Sequence, residues 1–321
     1  MESNAPSINP PSANTGPSQT APRPLEAAKV PITVIVPTLN EASNLPRCLD
    51  YLRWADDVVV VDSNSTDGTQ RIAESYGARV INFAWNGKWP KKRNWVLRNA
   101  DLRYPWILIV DADECIVPEL AAEIGEAIRS DKYVGYYINR RFMFLNTWIK
   151  HCGYYPSWNL RLLKRGHGEY EQLTDVEETG SGDNEIHEHI AVDGPVNYLQ
   201  HDMLHYAFPN IHTFVEKHNR YSNWEAAVQS RLVQKHANVA GNATLTKRRR
   251  LKNLSRHMPF RPTLRFLYSY VLKAGFLDGR EGFIFCRLLS MYEFLSVAKY
   301  YELRHPASRN SNAKGATRQL P

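Results

Sequence analysis

Short runs of apolar residues alternate with helical patterns over the first 130 residues of the chain. The strand-like runs are residues 30–36, 58–61, 79–83 and 106–110. The segments between them repeat apolar residues at helical spacing, and helices are predicted to begin near Leu45, Thr69, Lys91 and Pro118. Strands this uniformly apolar, separated by helices, predict a parallel sheet that is covered on both faces.

The pattern changes after Val134, where aromatic and mixed strands replace the regular alternation. Residues 211–240 have a helical pattern. Two further apolar and aromatic helices are predicted at 263–277 and 283–303, separated by the segment 278–282. We therefore expect an α/β domain with a mainly parallel, Rossmann-like sheet and a helical extension at its C-terminal side.

Composition sets the expected domain boundaries. A chain of 321 residues with 43% hydrophobic residues has enough material for a buried core. Residues 1–28 hold six prolines and almost no large apolar side chains, so we predict a disordered tail there, and a second one at 305–321. The α/β domain is predicted at 29–210 and the helical extension at 211–304.

Targeting signals and cysteine usage favour a cytoplasmic protein. The sequence has no window of about 18 apolar residues and no signal-peptide layout in its first 30 residues. Its four cysteines form neither a metal-binding spacing nor a disulfide framework. A reducing compartment is therefore expected.

The net charge of +7 comes from one part of the chain. No Asp or Glu occurs between Ala226 and Leu277, whereas Lys and Arg are frequent there and cluster at 247–252. Apolar residues at helical spacing follow, including Leu264, Leu267 and Val271. Basic charge beside an amphipathic aromatic stretch favours the surface of an anionic membrane. The alternative is that these helices only pack against the α/β domain, and nucleic-acid binding is disfavoured because no nucleic-acid motif is present.

Carboxylates and polar turns follow three of the predicted strands, at residues 37–41, 62–69 and 111–114. The carboxyl ends of parallel strands meet at one edge of a sheet, where ligands bind. Asp111 and Asp113 suit a Mg²⁺ or Mn²⁺ ion that also binds a diphosphate, although two solvated acids in a turn would have the same spacing. Asp62 ends a buried strand and is expected to contact a ligand or a cation, while Asp67 is expected to cap a helix.

These segments together carry a family resemblance. The ordered set resembles inverting family 2 glycosyltransferases of the GT-A fold, over roughly residues 30–304. The matching segments are Val36–Glu41, Val61–Ser63 with Asp67–Thr69, Lys92–Asn94 and Asp111–Glu114. Later segments resemble, more narrowly, bacterial lipopolysaccharide-core β-glucosyltransferases. Those segments are His187–Glu188, Lys217–Tyr221 and Gly275–Gly279.

The resemblance implies a nucleotide-sugar site and a role for each matching position. Residues that would line the nucleotide pocket are Pro37, Thr38, Asn40 and Glu41. Asp62 would hold the base or ribose, and Arg93 would face the diphosphate or the sugar. Asp111 would contact the ribose and metal-bound water, and Asp113 would ligate a divalent cation. Ser63 stands where the family commonly has a second acid, so this chain departs from the family pattern beside the position that would bind the base.

The acceptor hydroxyl needs a carboxylate to take its proton, and Glu188 is the candidate catalytic base. Glu185 is the rival, and Asp193 is a weaker one. The histidines at 187, 189, 201 and 205 match no zinc spacing. A Rossmann dehydrogenase is disfavoured because no Gly-x-Gly-x-x-Gly follows the first strand.

The sequence therefore predicts a hexosyltransferase that moves a sugar, glucose on the family likeness, from a nucleotide-diphosphate sugar such as UDP-glucose. The acceptor would be a glycolipid or polysaccharide such as the lipopolysaccharide core, reached at the inner face of the cytoplasmic membrane. The alternative is a non-catalytic nucleotide-sugar-binding or scaffold protein.

Overall fold

A computed structural model describes residues 29–171, 189–234 and 260–305 of the chain. The first half of these residues alternates strands with helices. The strands are β1 (Val30–Thr38), β2 (Ala55–Asp62), β3 (Arg79–Asn82), β4 (Trp106–Ile109) and β5 (Glu114–Cys115). The helices are α1 (Leu45–Asp50), α2 (Thr69–Ser75), α3 (Lys92–Asn99) and α4 (Pro118–Ala127).

The second half is mainly strands and then helices. The strands are β6 (Gly135–Phe144), β7 (Thr147–Trp148), β8 (Trp158–Lys164), β9 (Gly168–Tyr170), β10 (Ile190–Val192) and β11 (Val196–Phe208). The helices are α5 (Ile211–Gln234), α6 (Arg261–Leu267) and α7 (Gly279–Arg304). A π-helical turn (Tyr268–Leu272) and a 3-10 turn (Gly275–Asp278) connect α6 to α7.

Nine of the described strands form one sheet in the order β3-β2-β1-β4-β8-β6-β11-β5, with β7 paired to β6. The pairs among β3, β2, β1 and β4 are all parallel, as the alternating pattern predicts. In the other half β8 is antiparallel to both β4 and β6, while β11 is parallel to β6. The carboxyl ends of β1, β2, β4, β6 and β11 therefore reach the same edge of the sheet, which we call the carboxyl edge.

The core has three parts. Apolar residues of α1, α2 and α4 pack on one face of the sheet, and α3, β9 and β10 pack on the other. A third cluster joins the sheet to the C-terminal helices and is rich in phenylalanine. Phe144 of β6, Phe214 of α5 and Phe285 of α7 are fully buried in it. The helical extension and the sheet thus share one core.

The structure confirms the expected α/β fold and places most predicted elements within a few residues. Two predictions about the C-terminal region were wrong. The segment 278–282 does not separate the helices, because α7 begins at Gly279 with Glu281 in its first turn. The predicted helix at 263–277 ends at Leu267 and gives way to the π-helical and 3-10 turns. The predicted tail at 1–28, the predicted tail at 305–321 apart from its first residue, and residues 235–240 of the predicted helical segment 211–240 lie outside the described residues.

Candidate nucleotide-sugar site

A network of charges holds the half-buried Asp111 just beyond the end of β4. Arg93 of α3 donates to Asp111 Oδ1 at 2.5 Å, and Arg161 of β8 donates to Asp111 Oδ2 at 2.6 Å. The same Arg161 Nη2 donates to Oε1 of Glu114 at 2.7 Å, and Arg140 lies 3.5 Å from that oxygen. Burial raises the pKa of Asp111, but the two guanidinium groups outweigh it and keep the carboxyl ionised. Asp111 is therefore fixed in charge and orientation.

Asp113 has a different environment two residues later. Its Oδ1 lies 3.5 Å from Nε2 of His205, and its Oδ2 lies 3.7 Å from Nζ of Lys217. Both distances exceed that of a good hydrogen bond. Burial raises the pKa of Asp113, but the charge and hydrogen bond of His205 and the charge of Lys217 lower it to about 2. An ionised carboxylate thus faces the edge of the sheet without a tightly bound protein donor among the described residues.

The carboxylate of Asp62 is fully buried at the end of β2 and is surrounded by protein donors. Thr38 donates to its Oδ1 at 2.8 Å, and Gln70 donates to its Oδ2 at 2.7 Å. The backbone N–H of Ser65 donates to Oδ2 at 2.8 Å, and the Ser65 hydroxyl donates to Oδ1 at 2.5 Å. The partners that this buried charge requires are supplied by the protein itself, and Asp62 fixes the 62–69 loop against β1.

The loops after β1 and β2 are tied together by polar contacts at the same edge. Asn40 has a left-handed backbone, with φ 56°, and its Oδ1 accepts a hydrogen bond from the N–H of Thr66 at 2.9 Å. Asp67 accepts from the N–H of Ala42 at 2.9 Å and from the N–H of Thr69 at 3.1 Å. Asp67 therefore stabilises the start of α2, which agrees with its expected capping role.

Glu41 lies on the side of the site that faces the aspartates. Its Oε2 accepts a hydrogen bond from Asn44 at 2.8 Å. Burial is the main reason that its pKa is raised; the hydrogen bond from Asn44 lowers it, and the negative charges of Asp113 and Asp111 add to the increase. Pro37 is the register partner of Val61 and carries β1 to this edge.

Three consecutive residues of α3 connect three parts of the site. Nζ of the buried Lys92 donates to the carbonyl of Thr38 at 2.7 Å. Arg93 binds Asp111, as described above. Asn94 exchanges two hydrogen bonds of 2.8 Å with the backbone of Tyr170 in β9. The segment 92–94 thus joins the end of β1, the end of β4 and the β9 strand.

The structure brings seven of the eight predicted nucleotide-sugar and metal positions to the carboxyl edge through β1, β2 and the β4 loop, and Arg93 joins them from α3. The candidate base Glu188 and its rival Glu185 lie outside the described residues. The residue after Glu188, His189, is described. Its backbone carbonyl accepts a hydrogen bond from the N–H of Glu171 at 2.9 Å, next to Tyr170. Asp193 is not brought to the site, because the register of β11 with β6 and of β6 with β8 places it near the start of β4.

The histidines considered for zinc are apart where the structure describes them. His205 faces Asp113, whereas Nδ1 of His201 lies 2.8 Å from Glu123 on α4. Within residues 29–171, 189–234 and 260–305, no group of three or more His, Cys, Asp or Glu side chains is arranged to hold a metal ion. A cation at Asp113 would therefore need ligands from a substrate and from water.

A protein-family model matches one segment of the chain. Residues 33–181 match the model of the family described as Glycosyl transferase family 2. This segment contains every predicted nucleotide-site residue from Pro37 to Asp113. The chain carries a family 2 glycosyltransferase domain. On this match the chain is a glycosyltransferase.

Relatives similar to this glycosyltransferase extend over most of the chain. "Lipopolysaccharide core biosynthesis glycosyltransferase LpsC" of Rhizobium meliloti is 28% identical over 300 residues, covering 90% of this chain and 98% of the relative. An "Uncharacterized glycosyltransferase" of Rickettsia bellii is 26% identical and covers 88% of this chain and 91% of the relative. Among solved structures, S. aureus TarS 1-349 in complex with UDP-GlcNAc has a TM-score of 0.42 and 16% identity, covering 86% of this chain and 92% of that one.

Sequence reasoning missed the residue that organises the glycosyltransferase site, Arg161. It lies within the apolar run Leu160–Leu163 and is only 6% exposed. An arginine inside a buried strand requires a carboxylate partner, and that rule could have indicated a pairing. The partners Asp111 and Glu114, however, are about 50 residues away, and only the pairing of β8 with β4 brings them together.

The C-terminal helices of the glycosyltransferase expose many apolar side chains. Of the exposed large apolar residues among those described, two thirds lie between Phe260 and Leu303. Phe260 and Leu272 are 80% and 75% exposed. Among the helices that the structure describes, none has the length and hydropathy required to cross a membrane.

Proposed function

We propose that this glycosyltransferase is an inverting hexosyltransferase that moves glucose from UDP-glucose to a lipopolysaccharide-core acceptor. The observation that carries the proposal is the pair of acids after β4, of which Asp111 is held by two arginines at hydrogen-bond distance while the charged partners of Asp113 lie 3.5 Å and 3.7 Å away. The name of the Rhizobium meliloti relative supports the class of acceptor. Glucose and UDP are the donor components that the family likeness favours.

The residues at the carboxyl edge fit a donor with a diphosphate. Arg93 presents a guanidinium beside Asp111 and lies 5.5 Å from the ring of Tyr170, so it is held in place from two sides. Guanidinium groups bind phosphate oxygens through paired hydrogen bonds. The loops that contain Asn40 and Thr66 are fixed by their mutual contacts and would form the wall against the nucleoside.

The chemistry at Asp113 fits a hard divalent cation shared with the donor. One carboxylate with oxygen ligands from a diphosphate and water is a common environment for Mg²⁺ or Mn²⁺. When bound, such a cation supplies stabilisation of the negative charge that develops on the departing diphosphate. Asp113 would hold the cation, and Asp111 would orient the ribose and the water around it. His205 and Lys217 would keep Asp113 ionised.

We assign Glu188 as the general base. An acceptor hydroxyl attacks the anomeric carbon on the face opposite the nucleotide, so that the new C–O bond forms as the bond to the diphosphate breaks. The proton of the hydroxyl moves to the carboxylate of Glu188, and one displacement inverts the anomeric centre. His189 supports this assignment, since it lies beside Glu171 and Tyr170 and hence near Arg93.

We also propose that the protein works on the inner face of the cytoplasmic membrane, where a lipid-linked acceptor would be met. The support is the exposed apolar surface from Phe260 to Leu303 together with the positive charge of the chain before Asp278. Apolar side chains would enter the headgroup region, and cations would interact with anionic lipids at about 1 kcal/mol each.

The test uses sugar transfer and donor binding side by side. Purified protein is incubated with Mn²⁺, radiolabelled UDP-sugars and lipopolysaccharide with a truncated core, and the configuration of the product is read by NMR. We expect Glu188→Gln to bind UDP-glucose normally and to transfer sugar at least about a hundredfold more slowly. Glu185→Gln serves as the matched control and should keep its rate.

Two outcomes would remove the proposal. Near-normal transfer by Glu188→Gln would exclude it as the base. If the native protein neither transfers nor hydrolyses any UDP-sugar while still binding one, the alternative of a non-catalytic nucleotide-sugar-binding protein would replace the enzyme.

A further inference from the structure

Three aromatic side chains meet on adjacent strands of the sheet. Tyr137 of β6 and Tyr198 of β11 are register partners, and their rings are stacked with centroids 4.9 Å apart and planes at 16°. Trp158 of β8 stands nearly perpendicular to Tyr198, with centroids 5.0 Å apart and planes at 87°. Trp158 and Tyr198 are 40% and 48% exposed. We call these three residues the aromatic corner.

The aromatic corner lies on the face of the sheet that carries α3 and the β9–β10 hairpin. Tyr137 packs in the core cluster of that face together with Leu160 and Tyr170. Trp158 precedes Leu160 by two residues, and alternate residues of a strand share a face. Glu171 and His189, which follow β9 and precede β10, also lie on this side of the sheet.

Strand β8 connects the aromatic corner to the candidate donor site, because it contains both Trp158 and Arg161. Arg161 is three positions after Trp158, which corresponds to about 10 Å along a strand. Arg161 in turn binds Asp111 at 2.6 Å. A di- or trisaccharide is long enough to extend from the exposed rings to the reacting end of a donor that is held at Asp111 and Asp113.

The chemistry of the aromatic corner differs from that of a lipid-binding surface. Its exposed groups are rings, whereas aliphatic side chains are prominent on the C-terminal helices. Polar groups adjoin it on the same strands: the Asn139 amide donates to Asp202 at 2.8 Å, and Arg141 of β6, whose side chain is 45% exposed, donates to the same carboxylate at 2.9 Å. A sugar ring has one face of C–H bonds that fits the negative face of an aromatic ring, and hydroxyl edges that need hydrogen-bonding partners.

We propose that Trp158, Tyr198 and Tyr137 form a binding site for the saccharide portion of the acceptor, in which a sugar ring stacks on one of the two exposed rings while the other, perpendicular ring lines its edge. The proposal rests on the proposed function, since it assigns the acceptor of the same reaction. Exposed apolar clusters mark binding sites more often than isolated exposed apolar residues do. A glycosyltransferase also requires its acceptor close to its donor.

The experiment measures saccharide binding without a donor, so that it does not depend on catalysis. The probe is a set of core oligosaccharides released from lipopolysaccharide by mild acid, and binding is followed by saturation-transfer NMR and titration. We expect W158A/Y198A to bind the oligosaccharide at least about tenfold more weakly. The conservative variants Trp158→Phe and Tyr198→Phe should keep most of the affinity, and Tyr76→Ala, which removes a 38% exposed tyrosine elsewhere, should change nothing.

A second readout separates this proposal from the proposed function. Hydrolysis of UDP-glucose without acceptor should be unchanged in W158A/Y198A, while the KM for the oligosaccharide rises in parallel with the loss of binding. Oligosaccharide binding that is equal in native protein and W158A/Y198A, or absent from both, overturns the aromatic corner as the acceptor site. Binding that is lost in W158A/Y198A while the native protein shows no hydrolysis or transfer supports the saccharide site and overturns the proposed enzyme function.

Discussion

The carboxyl edge of the sheet buries charged side chains, whereas the C-terminal helices expose apolar ones. At the carboxyl edge, charged side chains are buried and paired, and Glu114 is fully buried against Arg161. Around the π-helical and 3-10 turns, apolar side chains point outward, and Leu272 and Leu277 are 75% and 61% exposed. Both arrangements cost free energy in an isolated protein.

The difference indicates two kinds of partner. Buried charges that are held by several hydrogen bonds suit a small, charged ligand that needs fixed donors and acceptors. Exposed apolar side chains suit an extended surface, because only another apolar phase stabilises them. The following predictions test this comparison, beginning with the largest expected effect.

The first prediction concerns Arg161 at the carboxyl edge. Arg161→Met leaves the half-buried carboxylate of Asp111 and the fully buried carboxylate of Glu114 without their shared donor, so we expect the free energy of unfolding to fall by about 3–5 kcal/mol. Urea denaturation followed by circular dichroism measures it. Arg53→Met removes an arginine whose side chain is 73% exposed, and it should cost less than about 1 kcal/mol. Equal effects of the two variants would contradict the description of this network.

The second prediction concerns the C-terminal surface. L272S/F276S removes two exposed apolar side chains, and we expect partitioning onto anionic lipid vesicles to weaken about tenfold or more, since each side chain contributes apolar area to the bound state. Vesicle flotation at two salt concentrations provides the measurement. Ile211→Ser, at a 39% exposed position outside this surface, is the matched control.

Two further results of the vesicle experiment show whether the C-terminal apolar surface binds a membrane. Stability and hydrolysis of UDP-glucose should be unchanged in L272S/F276S. If the native protein does not float with anionic vesicles at moderate salt, the membrane proposal ends, and the apolar surface must face a protein.

The third prediction concerns Asp57, a buried acid far from the carboxyl edge. Burial raises its pKa, but hydrogen bonds from Arg79 and Thr33 outweigh it and leave the pKa below its ordinary value. A lowered folded-state pKa stabilises the protein above the unfolded-state pKa of about 4, and the contribution disappears as pH falls through the folded-state value. We expect Asp57→Asn to cost about 1 kcal/mol at pH 7, after allowance for the half-exposed Arg79.

Measuring unfolding of native protein and Asp57→Asn between pH 7 and pH 3 checks this. The two stabilities should converge as the pH falls, and sugar transfer at pH 7 should be equal. A loss of transfer with unchanged stability would show that buried charge pairs outside the carboxyl edge also serve the reaction.

The elements that could be predicted from the sequence are those with a local pattern. The strands β1, β2, β3 and β4 are short and apolar, and the acids that follow β2 and β4 lie within a few residues of them. A parallel sheet brings such strand ends together whatever the details of packing. This rule was enough to place Asp62, Asp111 and Asp113 at one edge.

Features that depend on long-range register could not be predicted. Arg161 reaches Asp111 only because β8 pairs with β4, and His205 reaches Asp113 only because β11 pairs with β5. The start of α7 at Gly279 was also missed, since the glycines at 279 and 282 resemble a linker. In the structure Gly282 contacts the 3-10 turn so closely that an added Cβ would lie 2.3 Å from the carbonyl oxygen of Gly275, so close packing explains this glycine.

The central claim is that Asp113 allows the carboxyl edge to bind a sugar nucleotide together with a divalent cation. Isothermal titration of UDP-glucose into the protein, with and without Mn²⁺, tests it most directly, and Asp113→Asn is compared with Asp131→Asn, whose side chain is 95% exposed. We predict Mn²⁺-dependent heat for the native protein and Asp131→Asn, and none for Asp113→Asn. Equal heat in all three proteins, or no heat in any of them with UDP-glucose or other UDP-sugars, would contradict the account.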